Sequence, residues 1–142
     1  MSFDLKLESG DIKFSPEGEL DTVTGFDKLK QDVIKILLTE VGENDYHPWY
    51  GSKLGQAVVG RATTFNITLR NVELAVTTSL ENLAFLQNEQ LQYQTVTPAE
   101  AISAINFVNV EREPLDPRQW NIRVSVFTKA LTEISEDFSI TL

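Results

Sequence analysis

Hydrophobic residues alternate with polar ones at the start of the chain. Phe3, Leu5 and Leu7 share one face, a break follows at Ser9-Gly10, and Ile12 and Phe14 continue it before the turn signal Ser15-Pro16-Glu17-Gly18. This pattern predicts short strands or extended arms. From Phe26 the period changes. Phe26, Leu29, Val33, Ile34, Leu37, Leu38 and Val41 recur at spacings of three and four, the stripe a helix needs to lie on a core. Thr24 with Asp27 three residues on resembles a capping box at its start, and Gly42 stands where a left-handed residue would close it.

Farther along, Ser52 is placed to cap a short helix over residues 53–59 that Gly60 ends, and Thr64 to cap a second long helix. Phe65, Leu69, Val72, Val76, Leu80, Leu83 and Leu86 form the stripe of that helix, which would run to about Tyr93, a rod of roughly 40 Å. Thr97-Pro98-Ala99-Glu100 reads as a brief helical turn, with proline at its first position and the glutamate placed to reach back to the cap. Ile105, Phe107, Val108 and Val110 then read as a strand. The two prolines of residues 113–118 make a hairpin loop, because proline cannot donate to a ladder. Trp120, Ile122, Val124 and Val126 alternate with Asn121, Arg123 and Ser125 on the return strand, one face buried and the other wet. Phe138, Ile140 and Leu142 alternate with Ser139 and Thr141 at the end. The expected fold is α+β: two long helices plus a short one packed on a small, mainly antiparallel sheet with a C-terminal hairpin and terminal strand, all in a single domain over residues 1–142.

At 142 residues, 42% apolar and 23% charged, the chain can bury a real core. Its 12 basic against 21 acidic residues give a net charge of −9, which repels nucleic acid and anionic membranes and favours basic or neutral protein partners. The absence of cysteine removes disulfides, thiolate nucleophiles and cysteine metal sites. The first residues lack a signal-peptide pattern, and no window approaches the ~20 apolar residues of a membrane span, so the protein is expected to be soluble where it is made.

Residues 39–55, TEVGENDYHPWYGSKLG, hold the only histidine, His47, among Glu40, Glu43, Asp45, Tyr46, Trp49 and Tyr50. A glycosidase needs two carboxylates roughly 5 to 9.5 Å apart, one of them in an apolar setting. Glu40 and Glu43 lie instead in a polar loop. One histidine and no cysteine cannot fill a zinc site, no GxSxG elbow presents a nucleophile, and Gly51 to Gly55 lacks the length and ending of a phosphate-binding loop. His47 reads as a turn residue held extended by Pro48. No catalytic, cofactor-binding or metal-binding residue is assigned, and none is expected. Tyr46, Trp49 and Tyr50 either cover the helix junction or present a binding patch.

The spacing of Thr39, Gly42, Pro48, Tyr50, Gly51 and Leu54, in Leu-Leu-Thr-Glu-x-Gly followed by His-Pro-x-Tyr-Gly-Ser-x-Leu, resembles the small baseplate wedge protein of contractile-tailed phages, whose relatives include a type VI secretion baseplate subunit. Gly18-Glu-Leu20 and Val23-Thr-Gly25 look similar too, as does the order of elements. The family's Glu-Pro-Arg tripeptide is missing: residues 97–101 read Thr-Pro-Ala-Glu-Ala, and Glu113-Pro114 and Asp116-Pro117-Arg118 lie one strand too late. The resemblance implies a non-enzymatic structural subunit of the virion tail baseplate, assembled in the bacterial host cytoplasm. It would stand in six copies or a multiple, in contact with other wedge proteins and tube or hub proteins, and would template the first ring of the tail sheath. Members of the family have been labelled lysozyme-like, so a peptidoglycan hydrolase is the alternative expectation, with an adaptor in an unrelated complex as a third. The candidate interface comprises Tyr46 and Trp49 together with Asp137, Phe138, Ser139, Ile140, Thr141 and Leu142. The terminal strand either pairs with a neighbour's strand or completes the chain's own sheet.

Overall fold

A computed structural model describes residues 2–58 and 65–141. The proposed Thr64 cap, the Gly60 helix end and Leu142 lie outside the described residues. The chain is α+β, with helices α1 (Gly25–Leu38), α2 (Leu54–Val58) and α3 (Phe65–Gln90). Four two-residue strands precede α1: β1 (Asp4–Leu5), β2 (Leu7–Glu8), β3 (Asp11–Ile12) and β4 (Thr22–Val23). A 3-10 turn (Pro98–Glu100) leads into the antiparallel sheet β5 (Ile102–Arg112), β6 (Gln119–Thr128) and β7 (Glu133–Thr141), with β6 in the middle. Both α1 and α3 pack on one face of this sheet. Leu29, Val33, Ile36 and Leu37 of α1 meet Val72, Val76, Leu80 and Leu83 of α3 over Trp120, Ile122, Val124 and Val126 of β6. Each large aliphatic side chain buried there contributes about 1.5–3 kcal/mol. No helix among the described residues is long and apolar enough to cross a membrane.

Residues 2–23 form an arm of three short ladders meeting in a closed ring of backbone bonds. Lys6 N–H donates to Asp21 O (2.9 Å), Asp21 N–H to Lys13 O (3.0 Å) and Lys13 N–H to Lys6 O (2.9 Å). Ser9 (φ 55°) and Gly10 (φ 83°) make the tight turn between β2 and β3, both in the positive-φ region such a hairpin needs. Gln31 fastens the arm to α1, donating to Asp4 Oδ2 and Leu5 O and accepting from Leu7 N–H.

Several expectations need correcting. Thr24 occupies the cap position of α1, but its side chain makes no capping bond. The start of α1 faces the Glu100 carboxylate instead. Thr97 N–H donates to Glu100 Oε2 (2.8 Å), the capping box expected there. Glu100 Oε1 has no bond of good geometry, yet the carboxyl is held below its ordinary pKa. Burial pushes it up, while the Thr97 backbone, the Ser2 hydroxyl and the Gly25 backbone N–H at the positive end of α1 pull it down and prevail. Helix α1 stops at Leu38 rather than running to Val41, and Phe26 and Leu38 are exposed while the unassigned Ile36 is buried. Helix α3 ends at Gln90, three residues short of Tyr93, and Phe65 lies at the surface, stacked on Trp120 at 6.0 Å. Ser125 is buried, not wet, because Asn106 of β5 and Glu133 of β7 close over its hydroxyl, which donates to Glu133 Oε1 at 2.6 Å.

Candidate functional site

The turn between α1 and α2 is built by returning the chain against the end of α1. Thr39 closes the helix in an extended conformation (φ −83°, ψ 133°), and both its N–H and its hydroxyl donate to Lys35 O. Gly42 (φ 98°) therefore does not close α1. It sits one turn later, where Glu43 N–H reaches Glu40 O at 3.2 Å. The chain comes back with Ser52 N–H donating to Thr39 O (2.8 Å) and Val41 N–H to Ser52 O (3.2 Å), a parallel bridge between Glu40 and Ser52. The buried Ser52 hydroxyl donates to Leu37 O at 2.7 Å, so it satisfies a last-turn carbonyl of α1 instead of capping α2. Gly51 (φ 121°) passes so close that a Cβ there would lie 2.6 Å from Thr39 O. Behind it, Ser79 Oγ of α3 stands within hydrogen-bonding distance of Gly51 O (3.0 Å) and of Ala75 O (2.8 Å). Thr39, Gly51 and Ser52 thus tie α1 to α3, the last link being the Ser79 hydroxyl. Leu54 is buried in the core from α2.

The aromatic residues of this corner divide. Tyr50 packs against the core, and its phenol is pushed up to about 12 by burial and by the nearby Asp32 and Asp4 carboxylates. Asp32 is itself pushed up by burial, offset in part by Lys28, which reaches it at 2.7 Å. Tyr46 is 92% exposed. Trp49 lies edge-on to Phe85 of α3 at 6.0 Å, with His47 tilted against it at 5.5 Å. His47 is exposed; Asn44 Oδ1 accepts from the Tyr46 and His47 N–H groups, and Tyr50 N–H donates to His47 O. It is a turn residue in this respect.

Glu40, Glu43 and Asp45 are exposed on the same loop. A groove of about 530 Å³ between the corner and α3 is lined by Trp49, Ala57, Leu74, Thr78 and Asn82 among others, and no carboxylate or histidine among the described residues lines it. A second depression of about 500 Å³ does bring His47 near an acid, Glu89, with Trp49, Phe85 and Tyr93 on its walls. No ion pair joins His47 to a carboxylate among the described residues. Nor do three or more such groups converge there as metal ligands.

The far end of the sheet carries the other candidate residues. β7 begins at Glu133, four residues before the expected start, and Asp137, Phe138, Ser139, Ile140 and Thr141 pair in register with Arg123, Ile122, Asn121, Trp120 and Gln119 of β6. The terminal strand therefore completes the chain's own sheet. Ile134 is buried, Phe138 and Ile140 pack on the core, and Arg123 grips Asp137 with two bonds of 2.6 and 3.3 Å. The other edge of β7 has no strand beside it among the described residues.

Reading the sequence missed two buried polar groups that fix this architecture. Gln87 of α3 donates to Glu100 O (2.9 Å) and accepts from Ile102 N–H (2.8 Å), stitching the helix to the start of β5. Ser79 is the second. Both stand at core spacing on α3, and a polar residue repeating in an apolar stripe was the available signal.

No protein-family model matches the chain, and no curated protein matches its sequence. Among solved structures, its fold is similar to that of a Geobacter sulfurreducens protein provisionally described as a tail lysozyme. The TM-score is 0.58 and the identity 17%, with 82% of this chain and 89% of that one covered. The likeness is one of fold.

Proposed function

We propose that the chain is a structural subunit of a contractile-tail baseplate wedge, without enzymatic activity, that docks on other wedge proteins and starts the sheath by lending the outer edge of β7 to a strand of the first sheath ring. The observation that carries the proposal is that edge: nine residues of in-register strand paired with β6 on one side and with no strand beside it on the other among the described residues. Edges of this kind template addition of a strand from another chain, the main-chain bonds giving affinity and alternate side chains specificity. The fold likeness to a protein provisionally described as a tail lysozyme supports the setting, as does the spacing of Thr39, Gly42, Pro48, Tyr50, Gly51 and Leu54, of which Thr39 and Gly51 meet where the chain returns against the end of α1. On this reading the subunit belongs to the virion baseplate, in six copies or a multiple, with sheath, wedge and tube or hub proteins as partners.

The test uses Ser139→Lys with Thr141→Lys, both on the exposed face of β7. The pairing with β6 is expected to survive, at a stability cost of no more than about 1.5 kcal/mol from the lost bond of the Ser139 hydroxyl to Asn121 Oδ1, while binding to the sheath subunit of the same particle is lost. Sheath assembly at the wild-type level would refute strand addition. Deleting residues 137–142 is the poorer test, since it also uncovers the core beneath Phe138 and Ile140.

One observation favours a second reading, a lysozyme-type hydrolase: the shared depression of His47 and Glu89. It predicts peptidoglycan cleavage that Glu89→Gln abolishes. The structural reading predicts no cleavage by the wild-type protein.

A further inference from the structure

The N-terminal arm turns its apolar side outward. Leu7 pairs with Ile12, Phe14 with Leu20 and Leu5 with Thr22, so the alternation of side chains puts Phe3, Leu7, Ile12, Phe14 and Leu20 on one face. These five are 40% to 67% exposed. The opposite face is charged and internally matched: Lys6 pairs with Asp21, Lys13 with Glu8 and Asp4 with Lys35 of α1. The ring of backbone bonds and the Gln31 clamp hold the arm without help from the outward apolar groups. A contiguous apolar face of this kind on a soluble chain marks an interaction site. Its surroundings are acidic. Glu17 and Glu19, in the turn that joins Phe14 to Leu20, are exposed and have no cation partner among the described residues.

We propose that this face docks a segment of a partner protein whose apolar stripe is flanked by lysine or arginine. Charge decides the occupant. A second copy related by symmetry would bring two acidic margins together, and an anionic bilayer would be repelled by the same groups, whereas a basic-flanked segment gains from them. The face lies on a different element from the β7 edge, and the inference stands whether or not the baseplate reading holds.

The full chain is titrated with a designed amphipathic peptide of leucine and lysine, and with its counterpart carrying glutamate for lysine. Amide spectra locate the contact. The expected result is binding of the lysine peptide alone, with shifts confined to residues 3–22. Affinity should fall at least about tenfold in Phe14→Ser with Leu20→Ser, the loss expected when two large side chains no longer become buried. It should also fall in Glu17→Lys with Glu19→Lys, and on raising salt from about 50 to 500 mM. Both variants change exposed residues, and unshifted amides outside the arm verify folding. Equal binding of the two peptides, no binding, or binding indifferent to both variants would overturn the proposal. So would sedimentation or vesicle flotation showing that Phe14→Ser with Leu20→Ser abolishes self-association or bilayer binding instead.

Discussion

Replacing Gly51 with alanine tests the corner most sharply. The added methyl would sit 2.6 Å from Thr39 O, 2.9 Å from the Glu40 carbonyl carbon and 3.0 Å from Glu40 O, all backbone atoms. Thr39 and Glu40 cannot retreat, because Ser52 N–H bonds Thr39 O and the parallel bridge holds Glu40 against Ser52. A φ of 121° adds backbone strain of about 1–3 kcal/mol for any residue with a Cβ, and overpacking against fixed atoms adds about 1–3 kcal/mol. The combined loss is about 2–6 kcal/mol, a large part of the 5–15 kcal/mol that stabilises ordinary domains. Gly42→Ala is the control: its φ is 98°, yet nothing lies within 4 Å of the new Cβ, so it carries the strain without the clash. Urea unfolding of the two variants and the wild type, with unchanged m-values, gives the difference directly. Gly51→Ala is expected to lose at least about 1–3 kcal/mol more than Gly42→Ala. Equal losses would refute the close-passage argument.

Three further outcomes follow from the geometry. Gln87→Leu strands Glu100 O and Ile102 N–H in the core and is expected to cost about 2–4 kcal/mol in urea unfolding. A phenol titrating near 12 in an absorbance titration should disappear in Tyr50→Phe. The folded protein keeps that proton where the unfolded chain, titrating at 10.0, has released it, so stability should fall as pH rises from 10 through about 12, and less so in Tyr50→Phe. The Asp4 carboxyl, which burial pushes up but Lys35 and Gln31 hold below its ordinary 3.8, stabilises the arm above that pH. This contribution is lost as pH falls through the folded value, and in Lys35→Met the acid-induced loss of arm contacts should be smaller, read from the amides of residues 4–23.

What was legible in the sequence was whatever a local period encodes. The three-and-four spacing of Leu29, Val33 and Leu37 and the alternation from Trp120 to Val126 each fix a face, and both faces meet in the core. Helix ends were read less well, because the groups that end them come from far along the chain. Ser52 reaches Leu37 O across 15 residues, and the Gly25 N–H is served from the region of Glu100. Ser125 looked wet from its strand alone and is buried by side chains of both neighbouring strands. The corner motif pointed to Gly51, while the reason for glycine there, a carbonyl passing behind it, exists only once Thr39 and Ser52 are paired. Alternation placed Phe138 and Ile140 on a strand without saying whose sheet it completes. Nothing local marked Glu89 as a neighbour of His47, since the two lie on different elements.

Electron cryo-microscopy of the contractile particle assembled with this chain tests the central claim most directly. The account predicts a strand from a neighbouring subunit running along the outer edge of β7, bonded main chain to main chain over residues 133–141. A particle in which that edge faces solvent while the subunit is held elsewhere would contradict it.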